Sequence, residues 1–476
     1  MRKAEQSNGG QSNAKKRKAH VPYGTRLSKK VLGLLTIISL VSEISLPKVQ
    51  VSSNATLTDR IIKRFEEANE HYDGTVNEMH LFSYLTDVST NEVFTLRQAM
   101  KEDDRMDFVA AMENEIKDHE QRGHWTIVDK TSLPTNAKPI KAIWSFKRKR
   151  RPDGSLLKHK ARLCAHGGMQ QWGDNYWETY SPVVNMLSVR LLLSIAKIYK
   201  LESKAIDFVL AFPQADLDVD IWMYLPAGFQ VDGQTEENSE RRKILKLNKS
   251  LYGLKQASYN WYEKLKKGLE DRGFKPSSID PCLYLRKGMI VLTYVDDCII
   301  VGNSMKEINY FINSMKNGSE NFILTDEGDI DKFLGIEIKH LDKGSFEISQ
   351  PFLTERIVTL LGLKDNDFDA NINARSTPVG KPVLNKDLEG KPRKLSWKYR
   401  TAVGMLNYLQ GNTRPEISMA VHQTARFCND PKRCHEQAIM RIGRYLLHTI
   451  DRGIIYKPDK SKGLECYVNA DFAGGW

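Results

Sequence analysis

"TYVDDCII", Thr293–Ile300, sets two adjacent aspartates, Asp296 and Asp297, between the apolar runs "MIVLTYV" and "CIIVG". Those runs have the length of buried strands, and the pair between them reads as the tip of a hairpin. Aspartate favours turns on its own account, because its side chain bonds nearby backbone N–H groups. That explains one aspartate with ease. Two neighbouring carboxylates repel each other, and each resists desolvation. A hard divalent cation relieves both problems, since Mg²⁺ takes oxygen ligands from one or two carboxylates together with substrate phosphates. The hairpin alone leaves turn chemistry and metal binding evenly matched. A third carboxylate shifts the balance, because "AIDFVLAF" puts Asp207 near the end of another apolar strand. Three carboxylates on adjacent strand ends can hold two metal ions roughly 3.5–4 Å apart, an arrangement suited to in-line phosphoryl transfer.

Outward from this point the chain alternates strands and helices. "MLSVRLLLSIAKIY" reads as an apolar helix before the Asp207 strand, and "IWMYLP" as a strand after it. "NWYEKLKKGLEDRG" is an amphipathic helix closed by Gly273, "MKEINYFINSMK" a further helix and "FLGIEIKH" a strand. Upstream, Phe108, Met112 and Ile116 recur at four-residue spacing on a helix that Gly123 can end, and "HWTIV" follows as a strand. "AIWSFKRKRRPDGSLLKHKARLCA" is a hairpin signature with a "PDG" turn. Alternation puts Lys158, Lys160 and Arg162 on one face of its second strand. Beyond residue 395 the pattern turns helical. The middle is therefore α+β with an antiparallel sheet, flanked by a basic hairpin and a helical region.

The 476 residues carry a net charge of +12, and the surplus is clustered. Residues 1–30 hold nine Lys/Arg against one Glu, and residues 141–162 hold nine against one Asp. A charge run is usually a solvated face, but clustering of this kind also suits a polyanionic partner, most often nucleic acid. The six cysteines form no CxxC pair, which argues against a zinc site or a disulfide framework. "VLGLLTIISLV", Val31–Val41, is far shorter than the ~20 apolar residues that span a bilayer, so no stable membrane association is expected. Residues 1–95 are expected to be poorly ordered, and "KKRK", Lys15–Lys18, is a weak nuclear-import patch.

With these residues in hand, "YVDD" resembles the active-site hairpin of reverse transcriptases. "IDFVLAFPQADLDVDIWMYLPAGF" resembles the first-aspartate segment of Copia-type (Pseudoviridae) long-terminal-repeat retrotransposons, and "LNKSLYGLKQASYNWY" their most diagnostic block. "HKARLCAHGGMQQWGDNYWETYSPVVNMLSVR", "FLGIEI", "STPV" and "YRTAVGMLNYLQGNTRPEISMAV" follow in the family's order, from about residue 96 to the C-terminus.

The resemblance implies a right-hand polymerase fold, with fingers and an antiparallel palm sheet over 96–395 and a helical thumb or connection over 396–460. It implies RNA-directed DNA polymerase activity: transfer of nucleotides from dNTPs to a DNA primer 3′-OH on an RNA or DNA template, with Mg²⁺, or alternatively Mn²⁺, as cofactor. Asp207, Asp296 and Asp297 match the metal-binding triad, with the carbonyl of Phe208 as a further ligand. Phe212 matches the aromatic that crowds a ribonucleotide 2′-OH. Gln256 matches the glutamine that contacts the incoming nucleotide. Lys147 and Arg162 match the residues that clamp the triphosphate, a role open to Lys160 as well. Arg400, Gly404 and Tyr408 match a thumb helix face that tracks the primer–template. His166, Gly168 and the missing Arg in "ASYNW" depart from the family pattern around the fingers and template contacts. Residues 461–476 resemble the truncated start of a ribonuclease H domain, with Asn469 where a catalytic Asp is usual, so ribonuclease H activity is not expected; Asp471 could be argued to substitute. The setting implied is a cytoplasmic particle or the nucleus. Two other readings stand beside this one. A decayed or co-opted element would bind nucleic acid without catalysis. An RNA-dependent RNA polymerase would share the palm chemistry, but it fits poorly with Phe212 and with "YVDD" in place of "GDD".

Overall fold

The computed structural model describes residues 93–150, 156–227, 229, 243–318, 320–364, 375–380 and 383–462. The amino-terminal readings, the "PDG" turn and the segment with Cys466, Asn469 and Asp471 lie outside them.

Strand β1 (Val93–Thr95) leads through helix α1 (Leu96–Ala99) into helix α2 (Arg105–Gln121), which ends before Gly123 at φ +63°. The buried stripe of α2 is Phe108, Met112, Glu115 and His119, and Ile116 is only half-buried. Sequence spacing favoured Ile116, but Glu115 and His119 take core positions because each finds a polar partner. Glu115 accepts a hydrogen bond from the Leu163 N–H at 3.2 Å. His119 stacks on Trp125 at 5.0 Å between ring centres and shares a 2.8 Å Nδ1–Nδ1 contact with His124. Burial pushes His124 down to about 3, which favours its neutral form.

Strand β2 (Trp125–Asp129) precedes the basic hairpin, β3 (Ala142–Arg150) and β4 (Leu156–Ala165). β1, β3 and β4 form an antiparallel sheet in that order. Helix α3 (Met186–Tyr199) follows, then β5 (Glu202–Phe208), the single turn α4 (Ala211–Gln214), β6 (Asp216–Tyr224) and β7 (Lys243–Lys249). β2, β7 and β6 form a second antiparallel sheet.

Helix α5 (Ala257–Glu270) leads to β8 (Lys275–Pro276), β9 (Leu283–Arg286), β10 (Met289–Tyr294) and β11 (Asp297–Gly302), then helix α6 (Met305–Asn317) and β12 (Leu324–Gly328). The central sheet runs β12–β5–β11–β10–β9–β8, antiparallel throughout. Its strands alternate between two cores. Ile290, Leu292, Ile299 and Val301 face α3. Ile206, Phe208, Val291, Cys298 and Ile300 face α5 and α6. Burial on both faces explains why "MIVLTYV" reads as continuous apolar sequence rather than as alternation.

β13 (Lys332–Phe333), β14 (Ile336–His340) and β15 (Phe346–Ser349) begin a fourth sheet, followed by helices α7 (Pro351–Leu360), α8 (Tyr399–Asn412), α9 (Ser418–Ala425) and α10 (Arg433–Leu447). "FLGIEIKH" is thus a tight hairpin and not one strand, because Leu334 and Gly335 adopt φ +52° and +71°. β16 (Ile454–Tyr456) returns after the helices to pair with β15. The helices share their own apolar core, centred on Ile357, Leu406, Leu409, Val421 and Ile442. No helix among the described residues is long and apolar enough to cross a membrane.

Candidate active site

β10 and β11 are joined by a two-residue turn, Val295–Asp296, closed by the Tyr294–Asp297 pair. Val295 sits at φ +51°. The turn is tied at two carbonyls: the Trp261 indole N–H donates to Val295 O at 2.6 Å, and the Phe208 backbone N–H donates to Asp296 O at 2.8 Å. Asp297 stands directly opposite Asp207 on the neighbouring strand. Ile206, Phe208 and Cys298 all point to the other core, so Asp207 and Asp297 share one face at the sheet's end.

The three carboxylates act on one another. Burial, then the charges of Asp296 and Asp207, push Asp297 up to about 7. Burial and Asp296 also raise Asp207. Tyr294, beside them, is pushed up to about 12 by burial and by Asp296 and Asp297. Glu327 also raises Asp207 and Asp297. It lies on β12, where Thr325 pairs with Asp207 and donates to Glu327 Oε1 at 2.6 Å. Nothing in the sequence signalled Glu327, because its nearness follows from the register of an edge strand.

Among the described residues no three His, Cys, Asp or Glu side chains stand close enough together to form a ready-made metal cage. The donor set nevertheless fits a hard cation. It is all oxygen, and it carries mutual repulsion that a divalent ion would relieve.

The opposing cations come from the basic hairpin. Ser145 pairs with Arg162, Lys147 with Lys160 and Lys149 with Lys158. Trp144, Phe146, Ala161 and Leu163 are buried on the inner face, so these cations line the outer one. Lys149 and Lys160 are near enough to favour ionised Asp207. Lys160 is itself pushed down to about 8 by burial and by Arg162 and Lys149. The Arg162 guanidinium stacks 4.2 Å from the Tyr252 ring centre, and Tyr252 packs against Phe212 at 5.1 Å. One stack therefore links two of the predicted nucleotide-binding residues, and burial pushes the Tyr252 hydroxyl up to about 12. The loop that carries Tyr252 is held close to β4. Gly253, at φ +90°, leaves no room for a Cβ, which would lie 2.2 Å from the Ala165 carbonyl oxygen.

Arg148, inside the same basic run, faces the other way. It grips Asp104 with two hydrogen bonds of 2.6 and 2.7 Å, bonds Glu102 at 2.9 Å and lies over the Phe94 ring. His159 bonds the same Asp104 at 2.6 Å. The Arg148 guanidinium holds the Asp104 carboxyl well below the usual range.

Gln256 is fully buried at the start of α5. It accepts from Gln170 Nε2 at 2.8 Å and donates to the Asn175 carbonyl at 3.0 Å. Its amide is thus engaged by protein partners. Arg400 and Gly404 lie on the outer side of α8, where Arg400 donates to the Cys428 carbonyl at 3.1 Å. Tyr408, one turn further on, is buried, and its hydroxyl donates to the Leu334 carbonyl at 2.8 Å. The three share a helical stripe but not a surface. Phe208 is also buried, its ring edge-on to Trp261 at 5.1 Å.

Residues 123–377 match the family described as reverse transcriptase (RNA-dependent DNA polymerase). The chain is 31% identical over 386 residues to the retrovirus-related Pol polyprotein from transposon TNT 1-94 of Nicotiana tabacum, covering 80% of this chain and 28% of that protein. It is 34% identical over 368 residues to the Pol polyprotein from transposon RE1 of Arabidopsis thaliana, covering 76% and 24% respectively. The putative transposon Ty5-1 protein of Saccharomyces cerevisiae is 26% identical over 267 residues, 55% of this chain and 81% of that protein. The chain spans about a quarter of the length of the two plant polyproteins. With carboxylates paired at the end of a central antiparallel sheet and a matching region that runs through them, the chain belongs to the reverse transcriptase (RNA-dependent DNA polymerase) family, of the type carried by Copia-like retrotransposons.

Proposed function

We propose that this chain extends a DNA primer on an RNA template. The central sheet with α3, α5 and α6 serves as the palm, the β3–β4 hairpin belongs to the fingers, and α8–α10 act as a thumb. The observation that carries the reading is the juxtaposition of two opposite charge sets: Asp207, Asp296 and Asp297 at one sheet end, and the outer face of the basic hairpin acting on Asp207.

In the reaction the primer 3′-hydroxyl gives its proton to solvent water, its oxygen bonds to the α-phosphorus of a dNTP, and the bond from that phosphorus to the bridging oxygen breaks, releasing pyrophosphate. Asp207, Asp296 and Asp297, with the Phe208 carbonyl, would hold divalent cations, Mg²⁺ or Mn²⁺, which when bound neutralise the attacking and leaving oxygens. Lys147, Lys160 and Arg162 receive the triphosphate, Arg162 suiting bidentate phosphate contact. Phe212, braced by Tyr252, fills the space that a 2′-hydroxyl would need. Gln256, with its amide engaged by Gln170 and Asn175, supports the nucleotide site by fixing the loop behind it. The outer face of α8 at Arg400 and Gly404 lies along the primer–template, and Tyr408 seats that helix on the Leu334 turn.

The test is extension of oligo(dT) on poly(rA) with Mg²⁺ or Mn²⁺. Wild-type protein is expected to extend the primer and Asp296→Asn is not. Binding of the hybrid without extension by the wild type would favour the co-opted element instead.

A further inference from the structure

Val295 combines a β-branched side chain with φ +51°, a backbone region such residues rarely occupy. A conformation of this kind persists only where its surroundings over-determine it. The surroundings here are specific. Trp261 is 1% exposed, and its indole N–H donates to the Val295 carbonyl at 2.6 Å. The next carbonyl, that of Asp296, accepts from the Phe208 N–H at 2.8 Å. Both ties lead into one aromatic cluster. Trp261 meets Phe208 edge-on at 5.1 Å, and Phe322 packs against both, at 5.6 Å from Phe208 and 6.0 Å from Trp261. Phe208 directly follows Asp207 in the chain. The strand bearing Asp207 and the turn bearing Asp296 are therefore fastened to the same buried rings.

We propose that Trp261 is a positioning residue: its N–H holds the Val295–Asp296 turn in its strained form and so sets Asp296 against Asp207. The proposal rests on the polymerase reading. A ring that merely filled the core would have no need of its N–H, and the strain at Val295 makes the two roles separable. Glycine adopts positive φ without penalty, so Val295→Gly removes the need for restraint.

Trp261→Phe keeps an aromatic ring and loses the donor. In the wild-type background it is expected to slow single-turnover dNTP incorporation about tenfold, or 1.4 kcal/mol, with KM for dNTP unchanged. In the Val295→Gly background the same substitution should cost at most about threefold, because coupled residues are not additive. Hydrogen exchange at the Phe208 amide gives a second readout that needs no activity. It should quicken in Trp261→Phe and slow again in the double variant. Equal rate losses in the two backgrounds, or unchanged Phe208 exchange in Trp261→Phe, would overturn the proposal. A wild type that fails to extend any primer refutes the polymerase reading, and the exchange experiment then still decides the role of Trp261.

Discussion

The β10–β11 hairpin and the β3–β4 hairpin are both antiparallel ladders that present like charges, yet they place them differently. β10–β11 is buried on both faces and has room for charge only at its tip, so Asp296 and Asp297 crowd with Asp207, and among the described residues no salt bridge to any of the three offsets their repulsion. β3–β4 buries one face and spreads Lys147, Lys149, Lys158, Lys160 and Arg162 along the other. The contrast extends inside the basic run itself. Arg148 and His159 point inward, where Asp104 binds both and Glu102 bonds Arg148, while their neighbours point outward. Charge left uncompensated at a sheet end is the mark of a site that awaits a ligand. Charge matched residue for residue is the mark of scaffold.

The comparison is broken most severely at the carboxylates. Asp207→Asn removes one of the two acids that face each other across β5 and β11, and dNTP incorporation should fall on the order of 10²–10³-fold, as it does when a preorganised electrostatic partner is lost. A fold unchanged by circular dichroism would show that the loss is chemical.

Arg148→Met tests the scaffold half. It leaves Asp104 paired only with His159, and global stability should fall by about 1–2 kcal/mol, the scale for losing charge-assisted hydrogen bonds at a partly exposed site. Chemical denaturation measures this, and dNTP KM should not change. The effect has a definite pH sign. Asp104 ionises more readily folded than unfolded, so its stabilisation is complete above the ordinary Asp value of about 4 and fades as acid takes the pH lower. Wild-type and Arg148→Met unfolding midpoints should therefore converge in acid.

The outer cations come next. Arg162→Ala should raise dNTP KM about tenfold, matching one lost charge-assisted hydrogen bond, with stability nearly unchanged. Equal effects from Arg148→Met and Arg162→Ala on both KM and stability would erase the distinction between the two faces. The smallest change is expected at Phe212. Phe212→Val should raise ribonucleotide use relative to deoxyribonucleotide use by a few-fold, read as the ratio of kcat/KM values; a fixed ratio would assign Phe212 to the core alone.

Much of this was legible in the sequence where one physical rule dominated. Continuous apolar runs around "DD" gave the central hairpin, and strict alternation gave the outer face of Lys158, Lys160 and Arg162. Legibility failed where tertiary partners decide. Glu115 and His119 displaced Ile116 from the α2 core stripe because Leu163, Trp125 and His124 satisfy them. The turn at Leu334–Gly335 was hidden because leucine is a rare occupant of positive φ. Tyr408 carries the right spacing for an exposed stripe, yet its hydroxyl reaches the Leu334 carbonyl. Glu327 enters the site through strand register, which no local pattern encodes.

The most direct measurement is rapid-quench incorporation of a single dNTP onto a DNA primer annealed to RNA, with Asp296→Asn and Arg148→Met run beside the wild type at a temperature where all three are folded. The account predicts that Asp296→Asn loses incorporation while Arg148→Met keeps the wild-type rate. Near-normal incorporation by Asp296→Asn would contradict it.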